Sequence, residues 1–144
     1  MVSASAELRA WATVTATATA DDGEVIPPPP PEGPTHLARR NRDVDDLLAI
    51  VGKAEALSWS QLYKCFEIIR NALGGGDDGL IATSWTSRAA LRAFTGSANH
   101  HGVAGIHDAR HARLPGGPPT RTMTLDEAQA YIRDLVRNWL HSLP

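Results

Sequence analysis

The stretch SANHHGVAGIHDARHAR, residues 97–113, contains four of the six histidines of the chain and two arginines. An arginine offers forked donors to a phosphate, and a histidine near neutral pH serves as a general acid or base. This combination suits RNA cleavage, in which the 2′-hydroxyl loses a proton and the leaving oxygen gains one. Arg110 and His111 are therefore the candidate catalytic residues. The candidate ligand-binding residues are Asn99, His100 and Arg113.

The same histidines also suggest a metal site. His107 and His111 are four residues apart, so on a helix both imidazoles would face one side, the spacing that zinc ligands use. The segment HDARH resembles the metalloprotease motif H-E-x-x-H, with Asp in place of Glu. The residues that would complete the ligand set are His100, His101 or Asp108. Cys65 is the only cysteine, which excludes an internal disulfide and a thiolate zinc site. No cofactor is predicted.

A third interpretation gives the stretch an architectural role without chemistry. Asn99 can cap or turn the chain, and Asp108 can cap a helix end or bridge to Arg110 or Arg113. We favour this interpretation, or a non-catalytic interaction surface, over catalysis and over metal binding.

The composition indicates one soluble globular domain. The chain has 144 residues, of which 42% are hydrophobic and 21% charged. A net charge of -2 argues against a general nucleic-acid binder but permits a local basic patch. No apolar run approaches the ~18 residues of a membrane-spanning helix. The start lacks the basic region of a signal peptide, so we expect a cytoplasmic protein without membrane contact.

The elements before residue 35 differ from those after it. Thr13 to Ala20 alternates with period two, which predicts a strand. That strand must form a hairpin with residues 2–10, join another chain, or be the remnant of a longer β-region. Residues 25–34 include five consecutive prolines and predict an extended linker. The expected organisation is a β-element over 1–24, a Pro-rich linker over 25–34 and a helical domain over 35–144.

The remaining sequence is helical in pattern. Thr35 can cap a helix that runs to Gly52, and Thr86 or Ser87 can cap a short helix. Residues 104–114 suggest one more short helix. Two capping boxes, Ser58 with Gln61 and Thr124 with Glu127, open the two longest apolar patterns. The predicted fold is mainly α, a four- to five-helix bundle preceded by a short β-element and a polyproline linker.

Three motifs carry a resemblance to an uncharacterised bacterial helical family over Trp59 to Leu140. They read WSQLYKCFEIIRNAL, SANHHGVAGIHDARHAR and MTLDEAQAYIRDLVRNWL in this chain. More distantly, the pattern is similar to HEPN-type helical domains. That resemblance implies a four-helix unit that often dimerises and occurs in defence and toxin–antitoxin systems. Catalytic HEPN members carry an Arg and a His with four to six residues between them, and this pair cuts RNA across a dimer cleft.

This chain departs from the catalytic HEPN pattern, because none of its arginines is followed by a histidine at that spacing. Arg110 and His111 are adjacent, and Arg137 and His141 have three residues between them. The resemblance therefore implies a non-catalytic member. The leading hypothesis is a helical interaction or regulatory module with a protein partner or a second copy of itself. The alternatives are a metal-independent endoribonuclease using Arg110 and His111, with RNA as partner, and a histidine metal-binding domain.

Overall fold

The chain is mainly helical. The computed structural model describes the backbone of residues 18–19 and 25–26, and residues 33–53, 55–111, 115–117 and 119–144 in full. Residues 13–17 and 20 of the predicted strand, all five consecutive prolines and Arg113 lie outside the described residues. No helix in the described part is long and apolar enough to cross a bilayer.

The described residues before the helices form one short antiparallel pair. Strand β1 is Ala18–Thr19 and strand β2 is Val25–Ile26, with Ala18 opposite Ile26. Both ends of the predicted 25–34 linker are therefore structured, because Val25–Ile26 pairs as a strand and Pro34 opens a helix. The described partner of β1 lies downstream in sequence. The pairing with residues 2–10 that the sequence suggested lies outside the described residues.

The helix predicted from Thr35 to Gly52 is divided into two. Helix α1 is Pro34–Ala38 and helix α2 is Arg42–Lys53. The division occurs at Asn41, whose side-chain oxygen accepts from the backbone N–H groups of Asp43 at 3.0 Å and Val44 at 3.4 Å. Asparagine competes with helical hydrogen bonding in this way, so it begins a new helix instead of continuing the old one.

Helix α3, Trp59–Leu73, begins at the predicted capping box and ends at Gly74. Ser58 accepts from the N–H of Gln61, and the Gln61 side chain accepts from the N–H of Ser58. Helix α4, Gly76–Ala82, follows after a left-handed turn. Helix α4 lies close against this turn, because a Cβ placed on Gly79 would clash with the carbonyl oxygen of Gly74.

Helix α5, Arg88–Asn99, is capped by Ser87, and helix α6, His101–Ala104, follows it directly. The helix predicted over 104–114 is absent from the described residues 105–111. Gly105 takes a positive φ of 83°, and its carbonyl accepts from Asp108 and Ala109 in a tight turn. The last helix, α7, is Leu125–Ser142 and starts at the predicted capping box of Thr124 and Glu127.

The core lies between α3 and α7, with α2, α4 and α5 packed around them. Its aromatic centre is Phe94, whose ring centroid lies 5.3–6.3 Å from those of four other aromatic rings. These rings are Trp59, Tyr63, Phe66 and Tyr131. These five aromatic residues thus serve packing, with stacked and tilted contacts that favour association. Cys65 is also buried, and burial raises the pKa of its thiol to about 12.

Candidate functional site

Asp108 attaches the histidine-rich segment to the start of α3. Its Oδ2 accepts from the N–H of Trp59 at 2.6 Å, and its Oδ1 accepts from the N–H of Ser60 at 3.0 Å. These donors have no partner within the helix, and the positive end of the helix dipole favours a carboxylate there. The role of Asp108 as a helix cap, expected as one alternative from the sequence, is confirmed.

Arg110 attaches the same segment further along α3. Its backbone N–H donates to the carbonyl of Ala98 at 3.1 Å. Its Nη1 donates to the hydroxyl of Tyr63 at 2.7 Å, and the guanidinium carbon lies 4.7 Å from the centre of that ring. Its Nη2 lies 3.4 Å from a carboxylate oxygen of Glu67. Both Nη groups of Arg110 therefore have partners within the chain. One donates to the Tyr63 hydroxyl, and the other forms a half-exposed ion pair with Glu67.

A pocket of about 140 Å³ opens beside Arg110 on the surface of α3. The buried lining residues are Trp59, Tyr63 and Ala98. The more exposed ones are Ser60, Lys64, Glu67 and Arg110. The pocket thus combines an aromatic wall with three charged side chains, a combination typical of sites that bind an apolar group carrying a charge.

His100 and Asn99 lie at the junction between α5 and α6. His100 is buried, and its Nδ1 accepts from the N–H of Gly102 at 3.1 Å, which caps α6. Its ring stacks on that of His101 with centroids 4.9 Å apart. Two buried atoms, the Oδ1 of Asn99 and the Nδ1 of His101, have no hydrogen-bond partner among the described residues. Asn99 and His100 therefore lie within the junction, and neither belongs to the pocket beside Arg110.

The predicted pair Arg110 and His111 does not share a cleft in the described structure. Arg110 lines the pocket, whereas His111 is exposed and is not among the lining residues. Arg137 pairs with Asp134 on its own helix at 3.5 Å. Arg113, the remaining predicted ligand-binding residue, lies outside the described residues.

The backbone between His107 and His111 is not helical, so the metal site predicted from their spacing is not formed. His107 and His111 are both exposed, and the segment joining them is a turn and bend, so their side chains do not share a helix face. Among the described residues, no three histidine, cysteine, aspartate or glutamate side chains are close enough to hold a metal ion.

Of the seven residues that line the pocket, only Arg110 was predicted as a site residue. Tyr63 was not recognised as its partner, nor were Lys64 and Glu67 recognised as charged lining residues. Tyr63 and Glu67 are four residues apart on α3, and Lys64 follows Tyr63 directly. These three polar groups form one edge of the apolar face of α3, and this pattern in the sequence could have indicated Tyr63, Lys64 and Glu67 as site residues.

The structure brings the three sequence motifs into contact. Trp59 and Tyr63 of the first motif bind Asp108 and Arg110 of the second. Ser97, fully buried in the second motif, accepts from the N–H of Met123 in the third at 2.8 Å. Motif residues that are far apart in sequence therefore satisfy one another's hydrogen bonds.

Comparison with known proteins gives no relative. No protein-family model, no curated protein and no solved structure matches this chain.

Proposed function

We propose that this protein is a non-catalytic helical interaction module that acts in the cytoplasm as a homodimer. In this proposal it is a HEPN-like bundle of four to five helices that serves a bacterial defence or toxin–antitoxin system. The system and the HEPN likeness rest on the sequence motifs alone. The observation that carries the non-catalytic role is the engagement of Arg110. Its Nη1 donates to Tyr63 and its Nη2 pairs with Glu67, both on α3. Its backbone N–H donates to the carbonyl of Ala98 on α5, so the segment that suggested chemistry joins α3 to α5.

The contacts of Asp108 and Arg110 with α3 also hold the turn at residues 105–108 in place at the surface. Gly105 accepts two backbone hydrogen bonds within the turn, and Asp108 holds its far end to α3. Ile106 at its tip is 61% exposed, the more exposed of the two large apolar side chains that stand at the described surface. A rigid turn loses little conformational entropy on association, and burying an isoleucine contributes ~2 kcal/mol. The proposed dimer contact is centred on Ile106.

Sedimentation velocity over a wide concentration range tests the dimer. The wild type is expected to sediment as a concentration-dependent dimer, and Ile106→Asp to dissociate at least ~30-fold more readily, the equivalent of ~2 kcal/mol. Leu125→Asp is the matched control, because Leu125 is the other exposed apolar residue and an acid suits the first turn of α7. A wild type that stays monomeric throughout contradicts the dimer.

Incubation with structured RNA tests the non-catalytic part. We expect no cleavage by the wild type, because a phosphate would have to displace both internal partners of Arg110. The control is His111→Ala, which removes an exposed imidazole. Cleavage by the wild type that disappears in His111→Ala would replace this proposal by a ribonuclease.

A further inference from the structure

We propose that the pocket beside Arg110 binds a small monocarboxylate whose charge is carried on a compact apolar group. This inference is independent of the dimer, because Ile106 does not line the pocket. It follows from three properties of the lining residues: their net charge, an unpaired cation and the size of the apolar space.

The pocket carries one excess positive charge. Arg110 and Glu67 form an ion pair, with Nη2 and the carboxylate oxygen 3.4 Å apart, while Lys64 is the third charged lining residue. Lys64 is exposed and has no ionic partner in the described part of the chain. An ammonium of this kind attracts an anion. The Ser60 hydroxyl, one helical turn before Lys64, also lines the pocket and shares a hydrogen bond of 3.2 Å with the Ser58 hydroxyl.

The size and walls of the pocket define the rest of the ligand. Its volume of about 140 Å³ matches a single six-membered ring, since a protein cavity of about 150 Å³ accepts benzene. The apolar part of the wall comes from Trp59, Tyr63 and Ala98, of which Trp59 and Tyr63 keep 5% and 7% of their surface exposed. A benzoate-sized acid places its ring against these residues and its carboxylate towards Lys64.

A single negative charge suits the site better than a phosphate. A phosphate monoester carries ~1.5 to 2 negative charges at neutral pH, more than the one excess positive charge of the lining. An RNA strand needs a basic groove that follows several nucleotides, whereas this pocket accommodates one ring. Glu67 also repels any anion that enters, so its carboxylate limits the affinity.

The test is a titration of the full chain with benzoate, followed by backbone amide NMR. We expect saturable shifts at Ser60 and Lys64, and much weaker binding of benzamide, the neutral isostere. Lys64→Gln should weaken benzoate binding roughly fourfold, the effect of one unit charge at ~5 Å in water. Glu67→Gln should strengthen it by roughly the same factor, because it removes the like charge.

Lys53→Gln is the matched control, since Lys53 is the only other lysine, is exposed and does not line the pocket. It should bind benzoate like the wild type. Circular dichroism of each variant checks that the helices are intact. The proposal is overturned if benzamide binds as tightly as benzoate, if Glu67→Gln weakens binding, or if no saturable shift occurs up to the solubility limit. A short RNA that shifts these amides when benzoate does not would assign the pocket to nucleic acid instead.

Discussion

Replacing Asp108 by Ala should destabilise the protein more than any other exposed or half-buried acid. The substitution removes two acceptors, at 2.6 Å from the N–H of Trp59 and 3.0 Å from that of Ser60. The N–H of Ser60 is exposed and can bind water, whereas that of Trp59 is partly buried and loses its partner. Loss of a helix cap costs ~1 kcal/mol, and a charged hydrogen bond left partly unsatisfied adds a similar amount. The expected loss is ~2 kcal/mol.

Urea unfolding followed by circular dichroism measures this loss as a lower midpoint at unchanged slope. Asp126→Ala is the control, because Asp126 is an exposed acid in the first turn of α7 that receives no cap hydrogen bond there. It should change stability by less than ~0.5 kcal/mol. Hydrogen exchange should also accelerate at Trp59 and Ser60. If Asp108→Ala and Asp126→Ala unfold at the same urea concentration, the contact between the turn and α3 does not stabilise the fold.

Two further predictions concern the core helices. Gly79→Ala should cost ~2 kcal/mol or more, because its Cβ would clash with the carbonyl oxygen of Gly74 and the turn before α4 would have to shift. Gly52→Ala, where nothing lies within 4 Å of the added methyl, should instead stabilise α2 by ~0.5–1 kcal/mol in the same urea assay. If the two substitutions changed the unfolding free energy equally, the close contact between Gly79 and Gly74 would be contradicted. Burial raises the pKa of the Cys65 thiol from 9.0 to about 12, so above pH 9 the unfolded state binds fewer protons and stability falls as pH rises, by up to ~1.4 kcal/mol per pH unit. Unfolding midpoints from pH 8 to 10 should fall more steeply in the wild type than in Cys65→Ala, where the partly buried Tyr131 hydroxyl, whose pKa is also raised, still contributes. Equal slopes in the two proteins would refute the role of the Cys65 thiol.

The local signals in the sequence predicted local structure well. Both capping boxes begin helices where expected. Each depends only on two residues three positions apart, because the side chain of each accepts a hydrogen bond from the backbone N–H of the other. The same kind of signal was overlooked at Asn41, where an N-cap residue inside an apolar pattern divides one predicted helix into two. At residues 104–114 the apolar and polar pattern favoured a helix, but the described residues 105–111 form a turn instead. Gly105 has a positive φ, and Asp108 accepts hydrogen bonds from the first N–H groups of α3.

By itself the sequence determined the mainly helical class, the starts of α3, α5 and α7, and the buried faces of α3 and α7. These follow from the 3.6-residue period and from hydrogen bonds between near neighbours. Only the tertiary structure decided the site. Asp108 reaches Trp59 across 49 residues and Arg110 reaches Tyr63 across 47, and no spacing in the sequence specifies such contacts. They depend on how the helices pack, and that packing places Arg110 at the pocket and leaves His111 at the surface.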